Sequence, residues 1–175
     1  NVNVFRQAAE ISEADIIPIG KRACDKFGGE TRLAEFFSYD EAKKMSVLLC
    51  DEFLSNKFDR LGIVYTKYIS MMSQEAAVKW LLPLEKTTDK GIHSAIFEPD
   101  ELTVLNEIVP EYIAGNLIAC VKESVASEVS ARRVAMDAAD KNAQEMLSDL
   151  SLAYNRARQG AITQEITEIV AGSGQ

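Results

Sequence analysis

The residues able to do chemistry in this chain are few and scattered. His93 is the only histidine, which leaves no material for His-based catalytic triads or multi-histidine metal sites. Standing beside Ser94, it reads as a strand-edge or surface residue. Gly20-Lys21 lies in "PIGKRACDKFGGET", directly after an apolar run. A phosphate-cradling loop needs GxxxxGK[ST], in which backbone N–H groups surround the phosphates and the hydroxyl meets Mg2+. Here Arg22 stands where that hydroxyl belongs, and GxGxxG is absent too. The carboxylates Asp51 and Glu52, and Asp137 and Asp140, fall in helical patterns and read as solvated faces. Cys24, Cys50 and Cys120 are odd in number and far apart, without CxxC. They indicate neither a zinc site nor a disulfide framework, but buried thiols in a reducing compartment. No catalytic, cofactor-binding or metal-binding residue is assigned, and no cofactor is expected.

The elements that would position any function must then carry it. With 175 residues, 47% of them hydrophobic, the chain can build one core with length to spare. A formal charge of -8 opposes wrapping a phosphate backbone, so a protein partner is expected before nucleic acid. No run approaches the roughly 20 apolar residues of a membrane span, and no signal peptide is visible. The chain opens at Asn1 without methionine, which reads as a fragment or a processed form.

The first half alternates short strand-like runs with helical ones. "ADIIPIG" (Ala14 to Gly20) reads as a buried strand, and "KRACDKF" (Lys21 to Phe27) as a short helix closed by Gly28 and Gly29. Next comes a helix with Met45, Leu48, Leu49, Phe53 and Leu54 on its apolar face and Ser38 or Asp40 as its cap. "RLGIVYTKYIS", "AAVKWLLPLE" and "SAIFEP" read as strands, with Pro83 weakening the middle of its strand, as at an edge or bulge, and "EKTTDKG" a loop. The pattern predicts an α/β, Rossmann-like layered domain over residues 1–100 and a long helix over 101–175. Asp100 caps that helix, and Pro110 breaks it, kinks it or restarts it.

From Asn116 to Gln159 there is neither Gly nor Pro. Those residues would make a helix on the order of 65 Å long, enough to project beyond the domain. Met136, Ala139, Ala143, Met146, Leu150, Ala153, Ala157 and Gly160 step by three and four, the a/d rhythm of a coiled-coil seam. Small residues allow close backbone approach but bury little surface, so a second helix is expected to complete the seam. Beyond it, Ile162, Ile166, Ile169 and Val170 form an apolar tip that asks for a covering sleeve. Arg156, Arg158, Gln159 and Thr163 offer polar contacts nearby. Two readings remain open at this level. One is a non-catalytic shaft; the other is a nucleotide-binding or enzymatic α/β domain with a homodimeric coiled-coil tail.

"ARRVAMDAADKNAQEMLSDLSLAYNRARQGAITQEITEIVAG" closely resembles the C-terminal signature of the gamma subunit family of F-type ATP synthases. "YTKYISMMSQ", "LLPLE" and "FEPD" extend the resemblance upstream, to about Asp15. It implies a rotor shaft that couples proton-driven rotation to ATP synthesis inside a ring of alpha and beta subunits. It implies further contacts with the epsilon subunit and the membrane c-ring. It places the protein peripherally on the cytoplasmic face of the plasma membrane in a bacterial source, with no insertion of its own. The seam's partner is then the family's N-terminal helix, which with the first strand has no counterpart here. The chain would be the C-terminal three-fifths or so of such a subunit. Arg158, Gln159, Thr163, Gln164 and Glu165 match the family's "ARQ" and "TQE" and are implied to contact a beta-subunit loop. Arg132 matches an arginine implied to meet a beta subunit's acidic hinge side. Arg133 stands where the family usually has Met, and Gly160 where it has Ala or Ser; the glycine costs about 1 kcal/mol of helix stability.

Overall fold

The computed structural model describes residues 2–11, 14–29, 33–84 and 97–173. Four helices and two strands follow in the order α1 (Val2–Glu10), α2 (Lys21–Phe27), α3 (Tyr39–Leu54), β1 (Leu61–Tyr68), β2 (Gln74–Leu82) and α4 (Glu101–Gly172). They divide into two compact units, Asn1–Ala131 and Arg132–Gln175. The α/β class and the long C-terminal helix are as expected.

In the first unit, α2 spans the expected residues. Gly20 at its start has φ of 106° and Gly28 at its end 81°, backbone that L side chains avoid. Ser38, not Asp40, caps α3. Its hydroxyl accepts from the Glu41 N–H at 3.3 Å while the Glu41 carboxylate accepts from the Ser38 N–H at 3.0 Å, a reciprocal capping box. Along α3, Ala42, Met45, Ser46 and Leu49 are buried. Leu48 and Leu54, expected on the same face, are exposed. The core face turns through Ala42 and Ser46 because small residues let α3 approach its neighbours closely.

β1 and β2 pair antiparallel from Leu61↔Leu82 to Tyr68↔Gln74, with an irregularity at Leu61/Gly62. There the Trp80 indole lies over Gly62, where an added Cβ would come within 2.8 Å of the ring. The Arg60 guanidinium sits 4.1 Å from the same ring's centroid. Leu81 and Leu82 carry the strand into the core with Phe37, Ile113, Ala114, Leu117 and Val121.

Three expectations need correction. "ADIIPIG" joins no ladder among the described residues, and Ile16 and Ile17 are exposed; Pro18 lacks the N–H that a paired strand would donate. Pro83 lies just past the end of β2 rather than within it, for the same reason. Phe97 to Pro99, the described end of "SAIFEP", form no strand. Ser94 to Ile96, His93 and "EKTTDKG" lie outside the described residues. α1, for which the sequence carried no reading, packs on the hairpin and on α2, where Phe5 meets Phe27 edge-on at 5.9 Å between centroids.

Asp100 starts α4 as expected, its carboxylate accepting from the Thr103 N–H at 3.0 Å and from the Thr103 hydroxyl at 2.7 Å. The helix then passes through Pro110 without a break. An 18-residue window of α4 reaches a mean hydropathy of 1.2 and so meets the length and composition of a membrane span, contrary to the sequence reading. In the first unit, however, α4 turns Ile113, Ala114, Leu117, Cys120 and Val121 into the core. Of that window 28% is buried within the described structure.

Candidate interaction surface on the long helix

α4 is tied into the first unit by two sets of polar contacts. At the sheet edge, the Thr66 N–H donates to Ser124 Oγ at 3.1 Å, and the Tyr68 N–H to Glu123 Oε1 at 3.0 Å. The Ser127 hydroxyl donates back to the Thr66 carbonyl at 3.3 Å. Among the described residues the outer edge of β1 is thereby met by helix side chains and not by another strand. Near the start of α4, Lys43 Nζ lies 2.5 Å from Glu111 Oε1, and the Tyr39 hydroxyl donates to Glu111 Oε2. Those bonds, from Lys43 first and Tyr39 second, hold the Glu111 carboxyl below its ordinary value. The bond to Glu111 raises Lys43 and Tyr39 in turn. Neither set was anticipated. Ser124 and Ser127 at i, i+3 on an otherwise apolar helix face were the available signal.

Reactive chemistry finds little support in this unit. Cys24 and Cys120 are buried and Cys50 half-buried, and none of the three is in a disulfide. Burial pushes the Cys50 and Cys120 thiols up, away from the reactive thiolate. Among the described residues no cluster of three or more His, Cys, Asp or Glu is placed to hold a metal ion. A cleft of about 280 Å3 between α1 and β2 is lined by Asn3, Arg6, Gln7, Gln74, Glu75 and Ala76, which include no nucleophile. Among the described residues no strand precedes Gly20-Lys21, so that pair lacks the strand–loop–helix setting of a phosphate loop.

The second unit is helix from Arg132 to Gly172, and Val134 alone among its described residues is even partly buried. Because the helix is unbroken, the eight seam residues share one face. Met136, Met146 and Leu150 there are 62–65% exposed. At about 100° per residue, Ile162, Ile166, Ile169 and Val170 lie roughly 120–180° around the helix from Ala157. The apolar side of the helix therefore changes at Gly160. Past it, the seam side carries Gln164 and Glu168, bonded to one another at 3.0 Å.

The same geometry sorts the expected contact residues. Gln159 and Thr163 lie on the side away from the seam, the Thr163 hydroxyl donating to the Gln159 carbonyl at 2.8 Å. Arg158 and Glu165, seven residues apart, share a face beside the isoleucines. Gln164 stands apart from all of these, on the seam side. Arg132 lies about 40 Å along the axis from Arg158. The fold and this surface define a class: a small α/β domain with a long helix whose two apolar faces are exposed among the described residues.

A family model described as ATP synthase matches residues 1–174. The chain belongs to that ATP synthase family, and the relatives it matches are gamma chains. It is 34% identical over 188 residues to the ATP synthase gamma chain of Desulforamulus reducens, covering 99% of this chain and 66% of that one. Against the gamma chain of Xanthomonas campestris pv. campestris it is 38% identical over 173 residues, covering 93% and 60%. The chain thus spans about three-fifths to two-thirds of the length of these curated relatives. Its fold is similar to a chain of the Euglena gracilis mitochondrial ATP synthase (OSCP/F1/c-ring, rotational state 3), with a TM-score of 0.62 and 22% identity over 97% of this chain and 65% of that one. A chain of the same enzyme's rotor, in rotational state 1, gives a TM-score of 0.60 at 21% identity, covering 92% and 68%. The family match begins at residue 1, not near Asp15, so α1 belongs to the shared region.

Proposed function

We propose that this chain forms the greater part of a rotor-shaft subunit of an F-type ATP synthase, transmitting proton-driven rotation to catalytic sites on other chains. The observation that carries the reading is the stretch from Met136 to Gly160, apolar and small-residued at a/d spacing and left exposed by the described residues. In this reading its partner is a helix of the full subunit lying outside these 175 residues. The close approach that Ala and Gly permit would make the pair thin enough to stand within a ring of alpha and beta subunits. The opposed isoleucine face, with Arg158, Gln159, Thr163 and Glu165 beside it, meets that ring. Gln164, on the seam side, is assigned to the paired helix, and Arg132 to a separate contact lower on the shaft. The α/β unit takes the contacts with the epsilon subunit and the c-ring, so the chain is peripheral to the membrane, on its cytoplasmic face in a bacterium. Work passes because an asymmetric element favours different states of its surroundings at different angles, without bond chemistry of its own.

The test is reconstitution of the full-length subunit with alpha and beta subunits and the membrane sector. A Gln159→Ala/Thr163→Ala variant should lower ATP synthesis per proton translocated while leaving the α/β unit folded. Coupling equal to that of the unaltered subunit would refute the assignment of these contacts.

A further inference from the structure

We infer that α4 changes character at Gly160: the stretch from Arg132 to Gln159 is a persistent helix, and the stretch from Gly160 to Gly172 is a helix–coil switch that opens locally when the chain is alone. Composition divides sharply there. Between 132 and 159 the only β-branched residue is Val134, and alanines recur throughout. Between 160 and 172, Ile162, Thr163, Ile166, Thr167, Ile169 and Val170 are β-branched, and a glycine stands at each end. β-Branched side chains lose χ1 freedom against the preceding helical turn, and glycine loses the most backbone freedom of any residue.

Packing does not compensate. A Cβ added at Gly160 would meet nothing within 4 Å, so no contact among the described residues requires the glycine. The six β-branched residues gain no burial in exchange for their lost freedom. The Thr163 hydroxyl bonds the Gln159 carbonyl at 2.8 Å, and the Thr167 hydroxyl bonds the Thr163 carbonyl at 2.7 Å. This back-bonding competes with the main-chain ladder and slightly weakens it. The last turn holds no basic residue to meet the negative end of the helix dipole, and Glu168 stands close to it. Against these, the Gln164–Glu168 bond supplies one side-chain brace, at 3.0 Å. Gly160 is also where the apolar face changes sides, so the change in stiffness and the change in surface coincide.

Peptide-resolved hydrogen–deuterium exchange on the 175-residue chain tests this without any partner subunit, so its outcome is independent of the coupling assay. Amides of 161–172 should exchange about ten-fold faster than those of 136–159, stepping at Gly160, as expected for a low-stability segment. Gly160→Ala should slow exchange in 161–168 by about five-fold, the propensity difference expressed as a rate, and leave 101–131 unchanged. Equal protection on both sides of Gly160 would overturn the inference. So would fast exchange confined to 169–172, which is ordinary end-fraying, or a Gly160→Ala variant that exchanges like the parent.

Discussion

Glu111 shows how single residues fasten the long helix to the domain. Its carboxylate receives both the Lys43 ammonium and the Tyr39 hydroxyl, and its pKa is lowered accordingly. A group with a lowered folded value stabilises the fold above its ordinary pKa and loses that contribution as pH falls through the folded value. Lys43 is raised, so its share is present below its ordinary pKa and is lost only in strong alkali. Both side chains are about half exposed, so water and salt screen the pair and the effect is small. Urea midpoints measured across pH should therefore fall on acidification below the ordinary carboxylate pKa of about 4.5. Glu111→Gln should flatten that acid limb while slightly lowering the midpoint at neutral pH. Parallel pH curves for the two proteins would show that the cluster contributes nothing to stability.

The elements differ in how plainly the sequence announced them, for physical reasons. α2 and the cap of α3 rest on local chemistry, since Gly20, Gly28, Ser38 and Glu41 act within three or four residues of themselves. They were legible, as was the long helix itself, because caps and an unpunctuated run act through local chemistry. "ADIIPIG" misled because a short apolar run specifies burial without specifying a hydrogen-bond partner, and Pro18 had already removed a donor. Leu48 and Leu54 misled because a helix's apolar arc does not say which edge meets the core. The closing of β1 by α4 was illegible because Thr66 and Ser124 are 58 residues apart. That contact makes its own prediction. Ser124→Ala removes the acceptor for the Thr66 N–H and leaves the strand edge open, so the Thr66 amide should exchange roughly five-fold faster, the equivalent of about 1 kcal/mol. NMR-detected exchange resolves this amide. An unchanged rate would mean that the strand edge does not depend on the helix side chain.

At the scale of the whole molecule, stability is unevenly distributed. The first unit owns a core drawn from α3, β2 and α4. The second is helix throughout its described length except for the final turn residue, with almost every side chain exposed. A helix without tertiary contacts is held by propensity and local pairs, and it melts gradually. A domain with a core melts as a cooperative unit. The two units should therefore report separately on heating. Trp80, the only tryptophan, lies in β2 and senses the first unit, whereas far-UV ellipticity sums over both. Ellipticity at 222 nm should decline along a slope well before the sigmoidal change in Trp80 fluorescence, and only the remainder should follow that sigmoid. Superimposable curves would mean that the exposed helix draws its stability from the same cooperative unit as the core. A partner covering the seam should instead convert the slope into part of a cooperative transition, because whatever binds only the helical form stabilises it by mass action.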